Sequence, residues 1–285
     1  MSYLSFSTWS LHRILGPLRW TAWDSEKSAH QTHIQDQPQL HTLLELPAEA
    51  ANRGYKAIEV CHFHFPSVDS VYLLELKKAF ADAGVAFDTL LLDYGDLTST
   101  DEARVEADLD LMRHWIDVAS QSGAKQIRIV AGEAPATDER AILRSAASLS
   151  ELVEYAAPLG VRVITENFKA LTSTGASCMK LLEASAEASG AGAGAQGTLR
   201  MITDFGNFKG PEKYEEIAMT TPHSVSVHVK PIYDEEGIPD ERELARCLEA
   251  VRDVGYDGAY VLIYDGPGDM WAGLERVKAI VEREL

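Results

Sequence analysis

Short apolar, β-branched runs alternate along most of the chain with longer stretches whose apolar residues recur at helical spacing. The runs predict strands at Leu4–Thr8, Ala57–Cys61, Ala86–Leu92, Gln126–Ala131, Val161–Glu166, Leu199–Asp204, Ser224–Lys230 and Ala259–Tyr264. Asp108–Ser122 and Ile142–Leu159 are examples of the amphipathic stretches between them. Gly54, Gly84, Gly123, Gly160 and Gly255 each stand just ahead of a strand, where a residue that accepts the left-handed conformation closes a helix. Eight strand–helix units imply parallel pairing through crossover helices, which leaves a closed barrel or a doubly wound sheet. No Gly-x-Gly-x-x-Gly follows the first strand, so a dinucleotide-binding layout lacks support. Polar and titratable residues gather at the C-terminal ends of many strands, where barrel chemistry sits. The pattern therefore predicts an α/β fold, one (β/α)8 barrel over residues 1–285.

Two segments break the alternation. Leu11–Thr42 is a long connection after the first strand, rich in His, Gln and Trp, and loops of this length are usually functional covers or insertions. With Trp9, Trp20 and Trp23 it reads either as a lid over the barrel mouth or as a subunit contact. The Gly/Ala-rich stretch at 185–198 reads as a flexible loop between a helix and the sixth strand.

Composition narrows the partners. Hydrophobic residues make up 46% of the chain and charged residues 25%, enough for a sizeable core. No apolar run approaches the ~20 residues that span a bilayer, and the first residues lack the basic start and apolar stretch of a signal peptide. A soluble, cytoplasmic protein without membrane partners is expected. Cys61, Cys178 and Cys247 are an odd number without paired spacing, which argues for reduced, packed thiols. Net charge is −18, from 44 acidic and 26 basic residues, and that field repels phosphate backbones. Nucleic acid is a poor partner; a small molecule remains, and a homo-oligomer is left open.

The fifth predicted strand ends at Glu166-Asn167, the sixth at Asp204-Phe205-Gly206-Asn207, and the seventh contains His228-Val229-Lys230. In a parallel barrel every second residue points inward, and the last inward position reaches the catalytic face. Two carboxylates and an imidazole on adjacent strands then converge, a donor set that suits Mn, Mg, Co or Zn. The plainer alternative is that these residues cap strand ends or pair with nearby lysines.

On Glu166-Asn167, Asp204-Phe205-Gly206-Asn207, His228-Val229-Lys230, Gly123-Ala124 before Ile127-Arg128-Ile129, and Gly255-Tyr256-Asp257-Gly258, nearly the whole chain resembles the xylose-isomerase-like barrel superfamily, the sugar phosphate isomerase/epimerase group. The resemblance implies a TIM barrel, a metal held by Glu166, Asp204 and His228, and a Glu59 that hydrogen-bonds within the barrel mouth. It also implies a fourth ligand, a Glu near the end of strand eight, but this chain has Ile263 there. In the epimerases the carboxylates of strands five and eight flank the substrate and move protons on opposite faces. An isoleucine does neither. Asp265, two residues on, would substitute as ligand or bind a substrate hydroxyl, unless it merely starts the turn at Gly266-Pro267-Gly268. Three protein ligands with open positions are also a usual catalytic pattern.

The remaining candidates surround that set. His62 and His64, two residues apart, would share a strand face near the mouth, with His62 as a catalytic substrate contact and His64 beside it; a surface-loop histidine is the alternative. Lys230 would neutralise a developing oxyanion, or else pair with Asp204 or Asp265. Arg128, with Lys169, would bind an acidic substrate group. Trp9 would wall a sugar ring, with His12, Asn167 and Asn207 close to the substrate. The leading expectation is a metal-dependent isomerase, epimerase or related lyase acting on a sugar, sugar phosphate or keto-polyol, with Glu166 as proton shuttle. A barrel with an eroded site, serving as a small-molecule-binding or accessory subunit, is the alternative that Ile263 motivates. A phosphodiesterase of the endonuclease branch would need more ligands and a basic groove.

Overall fold

Alternation along the strands decides how this chain folds. In the computed structural model, which describes residues 2–190 and 197–285, the strands are β1 (Tyr3–Ser7), β2 (Leu18–Asp24), β3 (Ala29–Gln35), β4 (Ala57–Cys61), β5 (Ala86–Leu92), β6 (Gln126–Ile129), β7 (Arg162–Glu166), β8 (Arg200–Asp204), β9 (Ser224–Val229) and β10 (Ala259–Leu262). All but β2 and β3 form a closed parallel barrel in the order β1-β10-β9-β8-β7-β6-β5-β4, with β4 returning to β1. Val163 and Met201 face outward into the main core, whereas Ile164 and Ile202 join Cys61 and Leu91 in a second cluster inside the barrel. Glu166 and Asp204 continue the parity of Ile164 and Ile202, so the pleat aims both carboxylates inward. Several predicted strand ends were one or two residues long: Thr8, Val130, Lys230, Ile263 and Tyr264 lie past the last ladder residue, where the backbone turns into the loops of the mouth.

The helices are α1 (Leu46–Asn52), α2 (Ser70–Ala83), α3 (Glu102–Ser122), α4 (Glu139–Ala156), α5 (Gly175–Ala188), α6 (Lys213–Thr220), α7 (Glu241–Asp253) and α8 (Met270–Glu284). Each buries one apolar stripe; on α4 it comprises Ile142, Ala146, Leu149 and Leu152. Burying one such Leu or Ile contributes roughly 1.5–3 kcal/mol. Asp69, Asp101, Asp138, Asp240 and Asp269 accept hydrogen bonds from the first-turn amides of α2, α3, α4, α7 and α8. Gly84 and Gly123 end α2 and α3 at φ of 64° and 82°, a conformation costly for any residue with a Cβ.

The expected long loop is more ordered than its composition suggests. Within it β2 and β3 form an antiparallel hairpin, with Trp20 opposite His33 and Trp23 opposite His30. At its turn, Asp24 Oδ1 accepts from the amides of Glu26 and Lys27. Trp20 packs on Phe63 with ring centroids 4.4 Å apart, and His30 Nε2 lies 2.7 Å from Asp108 Oδ1 on α3. The hairpin thus leans over the barrel mouth. Of the stretch expected to be flexible, 185–188 belong to α5, where Ser185 is buried and its Oγ lies 2.9 Å from Ser150 Oγ; residues 191–196 lie outside the described residues. The three cysteines are free and buried. Among the described residues, no helix is long and apolar enough to cross a membrane.

Candidate active site

β7, β8 and β9 lie side by side, so their last inward residues meet at the C-terminal mouth. Asp204 stands in register with His228, and Glu166 with Ile202. One donor atom from each of Glu166, Asp204 and His228 lies within 4.8 Å of the others, and all three residues are buried. His228 Nδ1 is 3.6 Å from Glu166 Oε1 and 3.4 Å from Asp204 Oδ2. These separations are long for hydrogen bonds and suit donors that share one cation.

Beneath them, Glu59 fixes the imidazole. Its Oε2 is 2.7 Å from His228 Nε2, while its Oε1 accepts from Thr89 Oγ1 at 2.9 Å and Ser226 Oγ at 3.2 Å. With Nε2 committed to Glu59, Nδ1 is the ring atom turned toward Glu166 and Asp204. A carboxylate on the far nitrogen of a ligating histidine is a recurrent device that orients the ring and raises its basicity. Burial pulls the His228 pKa down, but Glu59 and Glu166 more than offset this and hold it well above its ordinary value.

Glu166 Oε1 accepts from Asn207 Nδ2 at 3.1 Å. Its Oε2 is 3.0 Å from Arg128 Nε, yet neither atom has an aligned hydrogen-bond partner and both are buried. Asp204 Oδ1 accepts from the Gly206 amide at 2.6 Å, leaving Oδ2 toward His228. Glu166 Oε1, Asp204 Oδ2 and the oriented Nδ1 form a donor set that fits a divalent cation, while Glu166 Oε2 is turned toward Arg128.

Arg128 is the surprise of the site. Its guanidinium is buried, donates to Asp93 and to Leu92 O, and lies over the Phe168 ring at 4.9 Å. Although burial opposes its charge, Asp93 and Glu166 raise its pKa above the ordinary value. Lys230, across the mouth, places Nζ 3.0 Å from Asp265 Oδ2. Burial lowers its pKa, but Asp204 and Asp265 outweigh that and raise it. The backbone had to make room: a Cβ on Gly206 would approach Lys230 Cδ to 2.8 Å.

A cavity of about 250 Å³ opens above these groups, bounded by Trp9, Trp20, Phe168, Lys169, Asn207 and Ile263 as well as Arg128, Glu166, Asp204, His228 and Lys230. A larger cavity, about 490 Å³, lies at the other end of the barrel, where Tyr3 and Lys125 hold Asp88 at 2.5 and 2.6 Å. Among the described residues it has no comparable donor cluster, and that end of such barrels serves stability.

Several expected contacts sit elsewhere. His62 and His64 do not extend β4; they form a tight turn after it, which removes the strand-face argument. His62 Nδ1 accepts from the Asp93 amide at 3.3 Å and the ring packs against Trp115, so it is a core histidine rather than a wall of the cavity. His64 Nδ1 is 2.8 Å from Thr8 Oγ1, again outside the cavity. Glu59 supports His228 from below. His12 stacks on Trp9 at 4.1 Å with Nδ1 on Trp9 O, and so backs the Trp9 wall. Asn167 ties β7 to β8, donating to Asp204 O at 2.9 Å and accepting from the Asp204 amide at 2.6 Å. Asp265 turns to Lys230 and is not part of the donor cluster. Ile263 does line the cavity, in the position where resemblance implied a carboxylate. The Arg128–Glu166 contact and the Glu59–His228 bond were missed. The one readable signal was a carboxylate inside the otherwise apolar run Ala57-Ile58-Glu59-Val60-Cys61, which demands a buried partner.

A family model, the xylose isomerase-like TIM barrel, matches residues 47–280. The chain belongs to that family. The match begins after the β2–β3 hairpin, which is thus outside it. Solved structures superpose well: an L-ribulose 3-epimerase at TM-score 0.73 and 16% identity, covering 100% of this chain and 95% of that one. A D-allulose 3-epimerase from Methylomonas sp. gives 0.69 and 16% over 99% and 98%. A probable 3-DHS dehydratase from Bacillus anthracis gives 0.68 and 16% over 99% and 100%. No curated protein matches the sequence at a significant level.

Proposed function

We propose that this xylose isomerase-like barrel is a divalent-metal-dependent enzyme that moves a proton beside a carbonyl of a sugar or keto-polyol, as an isomerase, epimerase or related lyase. The observation that carries the reading is the convergence of Glu166, Asp204 and His228 with Nε2 of the histidine already committed to Glu59. Sugar 3-epimerases and a probable dehydratase among the fold's relatives support the substrate class. Glu166, Asp204 and His228 would hold the ion, which when bound supplies a Lewis acid for the substrate's oxygens. Glu166 Oε2, buried and without an aligned donor, is the atom suited to take and return the substrate proton. Lys230, protonated and facing the same cavity, would stabilise the oxyanion that develops. Trp9, Trp20 and Phe168 would wall the ring and keep water out, while Asn207 holds Glu166 in place. Because Ile263 stands where a second carboxylate would act, proton traffic would run on one face only, which favours a one-base isomerisation or elimination over a two-base epimerisation.

The Arg128–Glu166 contact and Ile263 favour a second reading, an eroded barrel that binds a small molecule without turning it over. Elemental analysis after dialysis, joined to deuterium uptake from heavy water into a panel of ketoses and keto-inositols, separates the two. Bound Mn, Mg, Co or Zn that is lost in Asp204→Asn, together with C–H exchange, is the expected outcome. A chain that retains no metal and exchanges no substrate hydrogen sinks the enzyme reading.

A further inference from the structure

Beside the active-site cavity lies another, of about 330 Å³, formed by the loops after β8 and β9 and by α6 and α7. Lys230 is a wall of both. The second cavity is lined by Lys209, Lys213, Tyr214, Ile232 and Glu243. Three lysines suggest an anion, but their charge is already answered. Lys213 Nζ is 2.5 Å from Glu243 Oε1, with both side chains about nine-tenths buried, and Lys230 is paired with Asp265. Lys209 is exposed and donates to Gly206 O. What remains unsatisfied is an acceptor of a lining residue: Glu243 Oε1 also accepts from Cys247 Sγ at 3.1 Å, but Glu243 Oε2 is buried and has no hydrogen-bond partner. A buried carboxylate oxygen without a donor costs free energy that a ligand hydroxyl would recover.

We infer that this side cavity is a subsite for a second hydroxyl-bearing ring, so that the substrate is a glycoside whose reacting unit sits under Trp9 and Trp20. Glu243 accepts from a hydroxyl of the outer ring, the lysines donate to its oxygens, and Tyr214 and Ile232 supply apolar wall. Mixed donors and acceptors at an apolar surface suit a polyol, whereas a carboxylate on the wall repels phosphate. The inference rests on the sugar reading of the main site.

The test is binding, followed by calorimetry and ligand-observed NMR on protein saturated with Mn(II). The probes are D-glucose, D-galactose and D-fructose, against cellobiose, maltose, trehalose, sucrose and lactose, with D-glucose 6-phosphate as the anionic control. At least one disaccharide should bind about tenfold or more tightly than either of its component sugars, roughly 1.4 kcal/mol. Glu243→Gln should abolish that gain and leave monosaccharide binding unchanged. Because Glu243→Gln disturbs a buried pair, Ile232→Trp gives a second arm: Ile232 is 57% exposed, so a larger ring there fills the cavity without strain on the core. Monosaccharides that bind as well as every disaccharide overturn the subsite and leave the main-site reading intact. A disaccharide gain that survives both variants also overturns it. Tighter binding of the sugar phosphate replaces the second ring with an anion, and no sugar binding of any kind defeats both readings.

Discussion

Glu59 does more for the site than its distance from the cavity suggests. It spends one oxygen on Thr89 and Ser226 and the other on His228, so the imidazole can offer only Nδ1 to a cation. Losing such a support typically lowers metal affinity 10–100-fold. Glu59→Gln should therefore weaken Mn(II) binding by that factor in a competitive chelator titration, with a far-ultraviolet spectrum like that of the parent; an unchanged affinity would remove Glu59 from the site. Asp265 gives the opposite expectation. Its carboxylate is 3.0 Å from Lys230 and apart from the donor cluster, so Asp265→Asn should leave metal affinity as it was. A loss of tenfold or more would restore Asp265 as the substitute for the carboxylate that Ile263 does not supply.

At the scale of elements, the β2–β3 hairpin is the part of the mouth that composition hid. Only Leu18 and Trp20 of β2 pack into the inner cluster, too short a pattern to announce a strand, and β3 is exposed along most of its length. The barrel strands were legible because each buries both faces, which writes continuous apolar runs, and their inward parity located Glu166 and Asp204. Contacts between strands far apart in sequence were not legible: Glu59 and His228 are 169 residues apart, and only barrel closure joins them. His62 misled for a related reason, since a turn immediately after β4 rotates it off the strand's inward face. The hairpin is tied down by few links, chiefly Trp20 on Phe63 and His30 on Asp108. His30→Ala should thus speed amide exchange across 18–35 at least tenfold while the barrel strands keep their protection. It should also cost about 1–3 kcal/mol of stability, because buried Asp108 loses a partner. Exchange rates that stay put would mean that Leu18 and Trp20 hold the hairpin without His30.

For the whole molecule, the histidines displaced from the cavity acquire another consequence. Burial pushes the His62 pKa down to about 4, with Asp93 raising and Arg128 lowering it, and pushes His64 down to about 3, with His12, His62 and Arg19 adding repulsion. Both rings are neutral in the folded protein, while in the unfolded chain they take up protons near the ordinary value of 6.5. Between these values the unfolded state binds more protons, so stability is complete above pH 6.5 and declines as the pH falls toward 4. Each group contributes up to about 1.4 kcal/mol per pH unit, on the order of 3 kcal/mol across the window. Acidic side chains also begin to titrate at the lower end, so a difference between variants isolates the histidine. His64→Gln can keep a hydrogen bond to Thr8 and does not titrate. Urea melts of the metal-free protein at pH 7.0, 6.0, 5.0 and 4.5 (about the range that matters) should show the parent losing stability faster than the variant by about 1.4 kcal/mol per unit. Parallel pH profiles would mean that His64 gains a proton without unfolding, and that the packing around His64, Thr8 and Phe63 admits water.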